Sequence, residues 1–202
     1  MCFGTSSESG RTDRRSCWLY CSFLVHYALA LYALWQRRTL RLRASELSQV
    51  VLGFAIPFLL VRHVVTTRIS DSFLHTDVGY LLWLYFVRSP EHGVLQMLVL
   101  VVAWGHAMIG LHFWLRVRPW YARLQPAALV VAVLIPALSL LGAIEAGRQV
   151  TALAADPNWI HERIPLPSPE TQSILETVTK LLTWFFAGTV GAVLLARVAR
   201  RI

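Results

Sequence analysis

Five long apolar runs, broken by short polar and arginine-rich stretches, set the pattern of this chain. They are Trp18–Trp35, Leu47–Thr67, Val94–Leu115, Pro126–Ala146 and Ile174–Ala196. Each holds about 18–23 residues, enough for a helix to cross a hydrocarbon layer about 30 Å thick. The pattern predicts an all-α, polytopic transmembrane bundle of five spans. A sixth apolar patch, Val78–Val87, is too short to cross and predicts a surface or re-entrant helix inside the connection Ile69–Gly93. Residues 1–16 are polar and small and predict a disordered tail ahead of one membrane domain over 17–202. Pro57 should kink the second span, and Pro136 lies inside the fourth. Gly147–Thr171 reads as a polar loop with four prolines.

Composition agrees with this pattern. Of 202 residues, 56% are hydrophobic and only 15% charged. The eight Trp and six Tyr gather at the ends of the runs, as an interfacial belt would. The net charge of +8 does not point to nucleic acid, because the arginines flank apolar runs and no basic-aromatic groove is present. Cys2, Cys17 and Cys21 show no zinc-ligand spacing. No Ser-His-acid pattern, Gly-rich phosphate loop or nucleotide motif appears.

Charge distribution sets an expected orientation. The 37–46 loop, the 116–125 loop and the C-terminal end together hold ten arginines and one acid, Glu46. By the positive-inside rule this side is cytoplasmic, and so is the C-terminus. Five spans then place the N-terminus outside. A tail with Arg11, Arg14 and Arg15 is poorly suited to translocation, which leads us to expect a further helix upstream.

The candidate chemistry lies in histidines within apolar runs. An imidazole there is costly unless it meets a partner, a polar interior or a metal. His26 falls near the middle of the first span and His63 in the outer half of the second. His106 falls near the middle of the third, and His112 toward its cytoplasmic end. Neutral imidazoles on facing helices at one depth are how bundles hold b-type haem. His106 and His112 are six residues apart, about 9 Å along the axis and about 120° around it, so they cannot serve one iron. Arg116 lies one turn from His112, and Arg62 and Arg68 flank His63, where they could pair haem propionates. The competing reading is a set of imidazoles hydrogen-bonded inside the bundle. His75, His92 and His161 read as solvated loop residues, and Trp104, Phe113, Trp114 and Trp120 as belt and packing.

The stretch GHAMIGLHFWLRVRPWY (105–121) resembles the membrane anchor of certain bacterial class III adenylate cyclases. So do HYALALYALWQRRTLRLR (26–43), RHVVTTRISDSF (62–73) and IPALSLLGAIEAGRQVTALAADPNW (135–159). These anchors are similar to the dihaem-b subunit of succinate:quinone oxidoreductases. The resemblance covers most of the chain from about Trp18 onward. It implies a haem-b anchor in the bacterial inner membrane that responds to the quinone pool, with quinol as ligand or electron donor. Its output would be a cytoplasmic ferredoxin-like domain and a cyclase domain making cAMP. On matching positions its histidines are His26, His63, His106 and His112, with axial pairs left open. It also implies a homodimer and an upstream helix carrying a further histidine. No cyclase aspartates and no ferredoxin cysteine run occur here, so no catalytic domain is expected in this chain. The alternative is a cytochrome b membrane subunit of a succinate dehydrogenase or fumarate reductase complex, passing electrons between haem and quinone.

Overall fold

A computed structural model describes residues 6–37, 39, 41–70, 79–164 and 166–200, with side chains from 17 onward. Seven α-helices and no strand occur among them. They are α1 (Ser6–Gln36), α2 (Ala44–Val64), α3 (Tyr80–Val87), α4 (Pro90–Leu115), α5 (Tyr121–Leu153), α6 (Pro157–Arg163) and α7 (Pro169–Ala199). A π-helical turn, Val65–Ile69, extends α2. Five helices are long and apolar enough to cross a membrane: the Cys17–Gln36 part of α1, Ala44–Ile69, α4, α5 and α7. The chain is thus a multi-pass membrane protein, and α3 is the short helix expected between the second and third spans.

Three boundaries differ from the hydropathy pattern. Helix α1 starts at Ser6, inside the segment read as a tail. Helix α5 continues past the apolar run to Leu153. The 147–171 loop contains α6, where Asp156 caps the N-terminus by accepting the Asn158 N–H at 2.9 Å and Pro157 takes the first helical position. His75, Asp71 and Asp77 lie outside the described residues.

The chain divides into two compact units, residues 1–41 with 187–202, and residues 42–186. In the first, α1 pairs with the end of α7. The Tyr27 hydroxyl meets Thr189 Oγ1 at 2.8 Å, and the Arg200 guanidinium lies 4.6 Å from the Trp35 ring centre. Arg197 is buried and donates to the carbonyls of Leu34 (2.6 Å) and Arg37 (2.5 Å). Those carbonyls close α1, where a helix end leaves acceptors without intrahelical donors and carries partial negative charge.

In the second unit α2 and α4 pack together and run antiparallel. Gly53 meets His106, Leu52 meets Gly105, and Gln49 meets Gly110. Helix α3 packs on both α4 and α5. A Cβ on Gly93 would collide with the Val87 carbonyl, so glycine lets the end of α3 sit on the first turn of α4. Val61, Val65, Leu82, Leu84, Val99, Tyr121, Val150, Ile164, Leu175 and Phe186 are the buried hydrophobic residues described in this unit. Much aliphatic surface stays exposed, including Leu129, Val133, Leu138 and Leu141 along α5, as expected where lipid covers it. Helix hydroxyls bond back one turn, as Ser139 does to Ile135 O (2.8 Å) and Thr183 to Thr179 O (2.8 Å), so no partner from lipid is required.

Candidate functional site

His106 lies in the second half of α4, against Gly53 of α2. Its Nδ1 is 3.1 Å from the Gln49 carbonyl oxygen. A carbonyl only accepts, so Nδ1 donates, and in the neutral ring Nε2 is the acceptor nitrogen. The local cause is glycine. A helical side chain leans toward the N-terminus, over the carbonyl one turn back. Gly53 has none, and the Gln49 carbonyl one turn earlier is left open to the ring. A Cβ at Gly53 would sit 2.7 Å from His106 Cε1 and 3.1 Å from Nδ1. The Gln49 side chain packs against Gly110, and its Oε1 is buried with no hydrogen-bond partner.

This contact yields a contrast. Alanine at Gly53 gains about 1 kcal/mol of helix propensity but forces the ring aside, and overpacking costs about 1–3 kcal/mol. At Gly105 the added Cβ would meet Leu52 Cδ1 at an ordinary 3.6 Å. Gly105→Ala is therefore expected to raise stability in a detergent denaturation series and Gly53→Ala to lower it. The opposite order would show that the ring yields freely.

The other candidates occupy other levels. The His63 imidazole lies near the Gln96 amide, and the His63 carbonyl accepts the Thr67 hydroxyl at 2.6 Å. Since His106 faces Gly53, ten residues separate the two levels on either helix, about 15 Å of axial distance. His112 Nδ1 lies 3.2 Å from the Tyr121 hydroxyl and ties the end of α4 to the start of α5. The structure therefore places no two of His63, His106 and His112 at one depth. His26 belongs to the other unit, on α1.

The arginines are also accounted for differently. Arg62 donates to His92 Nε2 at 2.6 Å, and Ser89 Oγ lies 2.7 Å from His92 Nδ1. The Ser89 hydroxyl proton goes to the Phe86 carbonyl at 3.0 Å, so Oγ accepts from Nδ1 and the tautomer of His92 is set. His92 is thus a half-buried residue of the first turn of α4 that links it to α2, rather than a solvated loop histidine. Arg68 is exposed on the π turn. Arg116 lies 4.8 Å from the Phe113 ring centre and is also exposed.

Among the described residues no group of three or more His, Cys, Asp or Glu comes together to hold a metal ion. If haem is held in this unit, the residue whose surroundings suit an axial ligand is His106. Its ring is oriented by a backbone carbonyl, as ligating imidazoles are, and its wall at Gly53 has no side chain. The orphaned Gln49 oxygen belongs to a side chain packed against Gly110, one turn along α4. The α2 residue at the level of His106 is Gly53, so α2 supplies no second imidazole there. Gln49, Gly53 and Gln96 were not singled out by hydropathy. A glutamine in each of two facing apolar runs was the available signal. No family model matches the chain, and neither a curated protein nor a solved structure matches it.

Proposed function

We propose that this chain is a haem-b-binding, quinone-responsive anchor in the bacterial inner membrane that regulates a cytoplasmic adenylate cyclase, with its C-terminus on the cytoplasmic side. The observation that carries the haem part is the His106 imidazole, held inside the third span by the Gln49 carbonyl with Nε2 as its acceptor atom. When bound, haem supplies one-electron chemistry at its iron. His106 would hold the iron from one side, and His26, His63 and His112 remain candidates for further ligation. The role of Gly53 and Gln49 is to fix the angle and tautomer of the His106 ring. A switch of this kind requires two states with different affinity for quinone. The quinone and cyclase parts rest on the resemblance of residues 26–43, 62–73, 105–121 and 135–159 described above.

The test is an optical spectrum of the purified chain expressed with ample haem, oxidised and then dithionite-reduced, with a haemochrome assay for stoichiometry. A sharp reduced α-band of b type is expected, lost or much weakened in His106→Ala. A saturating quinone analogue is expected to shift the haem potential. Absence of a Soret band would overturn the haem reading, and an unmoved potential would overturn the quinone part alone.

A further inference from the structure

A cleft of about 490 Å³ opens where α3, α4 and α5 meet, within the range of small-ligand sites. None of the candidate histidines lines it. Its position is the end of α4 and α5 opposite Arg116, Arg118 and Arg123, since it takes Met97 from the early turns of α4 and residues 143–152 from the late turns of α5. The α5 wall runs 143, 144, 147, 148, 151, 152, one continuous stripe of a helix face. A Cβ on Gly147 would meet nothing within 4 Å, so the groove above it is open.

Two cations share this largely apolar cleft. Arg88, at the end of α3, lies 4.4 Å from the Tyr85 ring centre, which holds its guanidinium plane. Arg148 projects from α5. Neither has an acidic partner among the described residues, and nearby Glu145 accepts instead from Gln149 at 3.1 Å. Two guanidinium groups lining a largely apolar groove in a membrane protein complement an anionic amphiphile. Guanidinium forks match phosphate oxygens, and the groove takes a hydrocarbon chain.

We infer that this cleft is a binding site for an anionic glycerophospholipid, its phosphate between Arg88 and Arg148 and one acyl chain along Met97, Ile144 and Gly147. The inference needs only the membrane character of the helices and is independent of haem.

The test is native mass spectrometry of the full chain in detergent, titrated with phosphatidylglycerol or with phosphatidylcholine, whose choline cancels the phosphate charge. At about tenfold per 1.4 kcal/mol, two surface arginines predict retention of phosphatidylglycerol roughly thirty-fold over phosphatidylcholine. Arg88→Gln with Arg148→Gln should bring that ratio to within about threefold. Arg116→Gln with Arg118→Gln, at the other end, should leave it intact. Gly147→Leu fills the groove without changing charge and should also release the lipid. Equal retention of both lipids by the native chain would overturn the inference. So would a ratio abolished only by the Arg116 and Arg118 changes, or Gly147→Leu retaining lipid as before. Displacement of phosphatidylglycerol by equimolar inorganic phosphate would show a phosphate site rather than a lipid site and would overturn it too. If the double variant fails to fold, the native ratio and Gly147→Leu decide.

Discussion

Arg197→Leu is expected to destabilise the unit formed by α1 and the end of α7 by roughly 3–5 kcal/mol. Arg197 is 7% exposed, and its guanidinium donates to two carbonyls, those of Leu34 and Arg37. Bonds to a charged donor contribute about 1.5–3 kcal/mol each. Leucine removes both and leaves two acceptors at the end of α1 without their donor. It also removes the positive charge at the negative end of the α1 dipole. Arg197→Lys keeps the charge but replaces a rigid fork by a single ammonium, so it should retain about half the effect. The checks are a detergent denaturation series and amide hydrogen exchange over the last turn of α1, where faster exchange is expected in Arg197→Leu. Stability within about 0.5 kcal/mol of the native chain would mean that solvent already serves those carbonyls. Tyr27→Phe, which removes the 2.8 Å contact with Thr189, provides the scale of an ordinary neutral bond, about 1 kcal/mol.

The contrast between what hydropathy revealed and what it left hidden has a physical basis. Crossing a hydrocarbon layer imposes length and composition on a helix, so all five spans were legible. The C-terminal end of α5 was not, because Arg148, Gln149 and Thr151 continue the helix after the apolar run stops. Interfacial depth tolerates such residues, and helix geometry does not require apolar ones. Helix α6 was written in the chain as Asp156-Pro157, a cap followed by proline at the first helical position, but four prolines in one segment masked it. For the candidate site, residue spacing gives depth along one helix only. It placed His106 within the third apolar run, and the residue lies inside α4. It could not give the antiparallel register that sets His106 against Gly53 and His63 against Gln96. It likewise could not show that Arg62 turns to His92. Those pairings depend on where a second helix lies, which no local pattern encodes.

Trp104 illustrates the same point and supports the second large effect. Sequence alone reads it as belt or packing. In the structure its indole N–H donates to the Ala132 carbonyl at 2.7 Å. Ala132 is four residues before Pro136, inside α5. Proline has no N–H, so it leaves the carbonyl at i−4 without its intrahelical donor. Within a membrane-spanning helix that acceptor must be satisfied by a neighbour. Trp104 from α4 is that neighbour. Trp104→Phe keeps the aromatic bulk but orphans the carbonyl, with an expected loss of about 1–3 kcal/mol. In a Pro136→Ala background residue 136 regains an N–H for Ala132. There Trp104→Phe should lose less than half as much, giving a coupling of at least about 1 kcal/mol in a double-mutant cycle. Additive losses would show that the indole contributes by packing alone and that the carbonyl is served some other way. A coupling of the expected size would establish that a proline in α5 and a tryptophan in α4 act as one feature. It would also explain why an indole rather than a phenyl ring occupies a half-buried position of α4, between Gly105 and an otherwise apolar run.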